Sequence, residues 1–130
     1  VSDFYFGKDE LFAKLNLSDL EFKMYLEIKK KLKFSPPVPD LIIYLQASTD
    51  ILIDRIKKRE LNIEKNIEKK YIESVNDVYM KHFHEYNSSP VLIINTSNVD
   101  INNEDDYKIL IKEISSDING KKYFNPTSIE

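Results

Sequence analysis

The chain has 130 residues, 42% of them hydrophobic and 12% aromatic, so a single domain with a packed core is within reach. Its net charge is −3 with a pI near 5.5, which excludes a whole-chain basic footprint for nucleic acid. No apolar run is long enough for a membrane helix, no signal-peptide pattern opens the chain, and the absence of cysteine excludes disulfides, thiolate chemistry and Cys-ligated zinc.

The chain opens on Val1 and runs into Ser2-Asp3-Phe4-Tyr5-Phe6, which reads as the end of a buried strand in a processed or fragmentary chain. Residues 8–15 read as a short helix. Ser18 followed by Glu21 is a capping-box pattern, and Leu17, Leu20, Met24, Ile28 and Leu32 give the next helix an apolar face. Lys29, Lys30, Lys31 and Lys33 suit its negative end, and Ser35-Pro36-Pro37-Val38-Pro39 stops it. Leu41 to Leu45 is an unbroken apolar run, expected to be a central parallel strand covered on both faces. Ser48 or Thr49 caps a helix carrying Ile51, Leu52, Ile53 and Ile56. Residues 60–67 read as a mobile loop or frayed helix. A long helix spans 68–86, with Tyr71, Ile72, Val75, Tyr79, Phe83 and Tyr86 on one face. Val91-Leu92-Ile93-Ile94 is a second buried strand. A last helix begins with Glu104, Asp105 and Asp106 in its first turn and ends at Asn119-Gly120, and the tail to Glu130 has no clear period. Alternating strands and helices predict a three-layer α/β fold on a parallel sheet, with one or two strands missing on the N-terminal side.

Glycine occurs only as Gly7 and Gly120, so no Gly-rich phosphate loop can be written within these residues. The 19 basic residues comprise 17 lysines and only two arginines, Arg55 and Arg59, one turn apart on one helix face. Two guanidinium forks there suit phosphate oxygens, ahead of a segment able to close as a lid. The alternative is a solvated basic face paired with Asp54 or Glu60. Glu64, in the same segment, can accept from a sugar hydroxyl or serve as a base. Asp3 either stands at a strand end, where α/β folds place their chemistry, or caps a turn. His82 and His84, two apart on a helix, face different directions and cannot share a metal.

The segment from Pro39 to Ser48, then Asp54-Arg55-Ile56-Lys57-Lys58-Arg59, Glu64 and Tyr71-Ile72 resembles the second half of a deoxynucleoside kinase, the bacterial deoxyadenosine/deoxyguanosine kinase branch in particular. Ser2 to Phe6, Lys8-Asp9, Phe12-Ala13, Ser89 to Asn95 and Tyr123 to Pro126 extend the likeness over nearly the whole chain. The resemblance implies a P-loop kinase-like fold, incomplete at the N-terminus, with residues 1–130 forming the C-terminal part of one kinase domain and a lid over about 55–67. It implies transfer of the ATP γ-phosphate, with Mg2+, to the 5′-hydroxyl of a purine deoxynucleoside in the cytoplasm. Arg55 and Arg59 match the arginines that reach the phosphates, Glu64 the glutamate on the sugar 3′-hydroxyl, Asp9 a substrate contact, and Asp100 and Ile101 the loop against adenine. Many members carry Arg-Gly-Arg where this chain has Arg59-Glu60-Leu61, and Glu-Arg-Ser where it has Ser2-Asp3-Phe4, so the resemblance leaves the catalytic base to Asp3 or to a residue outside the chain. The family's phosphate loop and metal-binding hydroxyl lie earlier, so the polypeptide alone is expected to be inactive. A homodimer and a deoxynucleoside substrate are the expected partners, with no nucleic acid and no membrane. A non-catalytic partner-binding α/β domain and a fragment of a nucleoside monophosphate kinase are the alternatives.

Overall fold

The computed structural model describes residues 1–3, 5–33, 35–59, 68–100 and 102–126. The chain forms α1 (Gly7–Asn16), α2 (Asp19–Leu32), β1 (Ile42–Gln46), α3 (Thr49–Lys58), α4 (Lys69–Glu85), β2 (Val91–Asn95), α5 (Glu104–Ile114) and β3 (Lys121–Phe124). Helix starts follow local chemistry. The Ser18 hydroxyl accepts from Glu21 N while the Glu21 carboxylate accepts from Ser18 N, completing the box at α2. Asn103 accepts from the amides of Asp105 and Asp106 at α5, where three acidic side chains also meet the positive helix end.

The three strands are parallel in the order β1-β2-β3, with Ile42 opposite Val91 and Val91 opposite Lys121. β2 is central, and Val91, Leu92, Ile93 and Ile94 are all buried. Ile42, Val91, Ile93 and Phe83 of α4 form one core cluster, joined by Tyr5, Tyr44, Tyr79 and Tyr86. Rings dominate it: Tyr44 lies 4.7 Å from Phe83, centroid to centroid, in a stacked arrangement.

Five sequence expectations are corrected or qualified. β1 is not covered on both faces: Ile43 is 39% and Leu45 61% exposed, because β1 has a strand on one side only among the described residues. Val1 to Asp3 are exposed and form no strand, and Tyr5 packs on His82, Phe83 and Tyr86 instead. α5 ends at Ile114, and Gly120, at φ +68°, turns the chain into β3. β3 carries no apolar alternation in Lys-Lys-Tyr-Phe; backbone pairing to β2 makes it a strand. Finally, the apolar face expected of α2 exists but is open, with Leu20 70% and Leu32 72% exposed.

The two histidines diverge, as their spacing requires. His82 Nε2 lies 2.8 Å from the Tyr5 hydroxyl and His84 Nδ1 lies 2.8 Å from that of Tyr123. Burial holds His82 below its ordinary pKa, against the raising influence of Glu10 and Glu85. A depressed value favours the neutral ring in the fold. Its contribution to stability is complete above the unfolded value of about 6.5 and is lost as pH falls through the lower folded value. The melting temperature is expected to fall as pH drops below about 6.5. His82→Gln should flatten that slope in scanning calorimetry, and an unchanged slope would contradict the assignment.

Candidate functional site

Parallel sheets present their chemistry at the carboxyl ends of the strands. Here that edge is made by Gln46 of β1, Asn95 of β2 and the turns that follow. Ser48 caps α3 by accepting from Ile51 N at 3.4 Å, and Asn76 of α4 donates to the Ala47 carbonyl at 3.2 Å, so the β1–α3 turn is held from two sides. α3 then carries Arg55 back across the strand ends.

Arg55 is half-buried. Its Nη1 donates to Thr96 Oγ1 at 2.9 Å and its Nη2 to the Thr96 carbonyl at 2.6 Å. The Thr96 hydroxyl in turn donates to the Gln46 carbonyl at 3.0 Å, and Thr96 N donates to that same oxygen at 2.7 Å. One guanidinium thus ties α3 to the ends of β1 and β2 together. The fork has donors left over after these two bonds, so an anion at the strand ends can be met without releasing Thr96. Arg59 is exposed at the C-cap of α3, one turn on, with its amide donating to the Arg55 and Ile56 carbonyls. Asp54, offered by the sequence as a partner for the arginines, pairs with Lys58 at 3.0 Å. Lys69, at the start of α4, reaches Asp50 at 3.1 Å and ties α4 to the first turn of α3.

The other anticipated residues lie apart from this cluster. Asp9 is exposed on α1 and accepts a short hydrogen bond from the Tyr25 hydroxyl, whose pKa is pushed up to about 12 chiefly by burial and then by that bond. Asp3 is exposed, and its carbonyl accepts from Lys8 Nζ at 3.3 Å. The Asp100 carboxylate accepts from Asn102 N at 2.9 Å, shaping the turn before α5. Glu64 and Ile101, and the lid segment 60–67, lie outside the described residues. Among the described residues, no three His, Asp or Glu side chains converge to hold a metal ion.

An open cleft of about 290 Å³ between α4 and the sheet is lined by Tyr44, Gln46, Met80, His84 and Tyr123, among others, and holds none of the anticipated residues. Sequence reasoning missed Thr96 and Gln46. The available signal was position: each closes or follows a buried strand, at the edge where such folds bind ligands.

The deoxynucleoside kinase family pattern matches residues 1–119. The chain belongs to the deoxynucleoside kinase family. It is 32% identical over 129 residues to a deoxyadenosine kinase of Lactobacillus acidophilus, covering 88% of this chain and 60% of that one. It is 36% identical over 75 residues to a deoxyguanosine kinase of Bacillus subtilis, covering 58% of this chain and 36% of that one. The solved structure of deoxyadenosine kinase from M. mycoides with bound dCTP shares the fold, with a TM-score of 0.72 at 24% identity over 88% of this chain and 63% of that one. The α/β architecture on a parallel sheet is therefore the P-loop kinase fold of this family. The chain spans at most about three fifths of the length of these curated relatives. No helix among the described residues is long and apolar enough to cross a membrane.

Proposed function

We propose that residues 1–130 are the C-terminal part of a single deoxynucleoside kinase domain that phosphorylates a purine deoxynucleoside on its 5′-hydroxyl, with the lid over about 55–67. The observation that carries this reading is Arg55, half-buried at the strand ends and doubly bonded to Thr96, inside a chain of this family. Phosphoryl transfer depends mainly on positioning and on stabilising charge that builds on phosphate oxygens. Arg55 supplies a fixed guanidinium, oriented by Thr96 before any ligand arrives, so little reorganisation accompanies charge development. Arg59, one turn further, supplies a second guanidinium on an exposed helix end and closes from the lid side.

ATP bound with Mg2+ supplies the group transferred. The residues of this chain fit the arginine side of that site. Glu64 takes the sugar 3′-hydroxyl and Asp9, steadied by Tyr25, a further substrate contact. Asp3 is the base within the chain, and the loop of Asp100 and Ile101 lies against adenine, with the Asp100 carboxylate setting the loop's shape. The working protein is cytoplasmic and pairs with a second copy of itself.

A coupled assay with ATP and deoxyadenosine tests the reading. The 130-residue chain alone is expected to be silent, and a polypeptide in which a segment with a Gly-rich phosphate loop precedes it is expected to turn over. Turnover by the chain alone overturns the inactivity. Silence of the extended, folded polypeptide with every deoxynucleoside overturns the kinase reading.

A further inference from the structure

Asparagine is a poor choice for the middle of a helix, because its short amide competes with the backbone for hydrogen bonds. Asn76 nevertheless stands midway along α4, one residue after Val75 and three before Tyr79, and it is partly buried. Its amide explains the position. Nδ2 donates to the Ala47 carbonyl at 3.2 Å and to Thr49 Oγ1 at 3.4 Å, so both hydrogens are committed to the β1–α3 turn. Ala47 is 4% exposed, and among the described residues no other group donates to its carbonyl.

Those bonds complete a ring. Ala47 follows Gln46, whose carbonyl accepts from Thr96, and Thr96 in turn holds both prongs of Arg55. Arg55 lies on the helix that Thr49 begins, and Thr49 leads back to Asn76. α3 is therefore tied by Asn76 at its first residue and by Arg55 in its last turn. Its other fixings are weak. None of its side chains is fully buried, and the Lys69–Asp50 pair at its first turn is exposed on both sides, where ion pairs contribute little. A helix of this length is a rod about 15 Å long. Released at one end, it slides and tilts about the other, and here the other end carries the guanidinium.

We propose that Asn76 is a positioning residue for phosphoryl transfer, whose amide fixes the start of α3 and so sets where the Arg55 fork stands at the strand ends. The proposal rests on the reading of Arg55 as a phosphate contact. Asn76 acts through the helix that carries the charge and needs no contact with the nucleotide itself. A guanidinium fixed in advance needs no reorganisation as charge develops, and displacing such a group by about 1 Å costs up to about 10²-fold in rate.

Asn76→Asp is the sharpest probe. It keeps the shape of the side chain but sets an ionised carboxylate, which has no hydrogen to give, against the Ala47 carbonyl. In a catalytically active polypeptide containing this chain, it is expected to lower kcat/KM for ATP by about 10- to 10²-fold, with KM for deoxyadenosine close to the parent value. Asn76→Gln, which keeps both donors on a longer stem, should recover part of the loss. The deciding measurement repeats Asn76→Asp in an Arg55→Ala background. Residues that act through one another are non-additive, so the second substitution should cost little more there. Thermal melts followed by circular dichroism establish that each variant is folded at the assay temperature. Asn76→Ala, which removes the donors without adding a charge, replaces Asn76→Asp if that variant is unfolded. Parent-like kinetics in the folded Asn76 variants overturn the proposal. So does an equal loss with and without Arg55, which marks a role in stability alone. In both cases a slowed Arg55→Ala leaves the phosphate reading standing. A parent-like Arg55→Ala overturns that reading and this proposal together.

Discussion

Arg55→Ala, in a catalytically active polypeptide containing this chain, is expected to lower kcat/KM by about 10²- to 10³-fold, the usual cost of removing one preorganised charge-stabilising donor. Two contributions add. The guanidinium proposed to meet developing phosphate charge is lost, and so is the tie from α3 to Thr96 at the ends of β1 and β2. Arg55→Lys separates them. Lysine keeps the charge but cannot reproduce the fork that holds the Thr96 hydroxyl and carbonyl at once. It should therefore recover part of the lost rate while its melting temperature stays below that of the parent, because a net contribution of about 1 kcal/mol per hydrogen bond is forfeited. Thr96→Val tests the strut from the other end: it removes the hydroxyl that Arg55 and Gln46 share and should raise KM for ATP more than it lowers kcat. Steady-state kinetics and thermal melts on the same preparations check this. Unchanged kinetics in Arg55→Ala would leave Arg55 a purely structural tie and remove the basis for placing phosphate at the strand ends.

The largest loss of stability is expected from Leu92→Ala. Leu92 is fully buried in the central strand, beside the fully buried Val91 and Ile94. Truncation removes transfer free energy and leaves a cavity that a parallel strand, pinned on both sides by backbone bonds, cannot collapse. The cost is about 2–5 kcal/mol, against a total stability for a typical domain of about 5–15 kcal/mol. Few side chains are deeply buried here, so that loss is expected to unfold much of the population at 37 °C. Urea titration followed by circular dichroism measures it. Leu45→Ala is the comparison: Leu45 is 61% exposed on the edge strand, and its truncation should cost little. Equal costs at the two positions would contradict the assignment of β2 as the centre of the core.

Local structure in this protein was legible from the residues themselves. Ser18 and Glu21 announce the start of α2, Ser48 or Thr49 that of α3, and the acidic residues Glu104, Asp105 and Asp106 that of α5, because capping and helix-end charge need only atoms a few residues apart. The apolar runs at Leu41–Leu45 and Val91–Ile94 mark β1 and β2, since a short unbroken apolar run bounded by turn residues suits a parallel strand. The arginine pair stood out by type and spacing, and the family pattern over residues 1–119 agrees with the resemblance carried by the same segments.

What a side chain meets across the fold was decided only by tertiary structure. β1 and β2 have similar apolar sequences, yet Leu45 is exposed and Ile94 buried, because burial depends on how many strands flank each one. Lys121–Phe124 becomes a strand through pairing with β2, a non-local backbone interaction that leaves no period in four residues. Arg55 was visible as a candidate, but its partner Thr96 lies 41 residues away and carries no mark of its own. The amino-acid order by itself determined the helices, the two apolar strands and the pair of guanidinium groups, since each arises from neighbours along the chain. The sheet order, the open face of α2 and the bond that holds Arg55 at the strand ends arise from contacts between distant segments, which only the folded arrangement brings together.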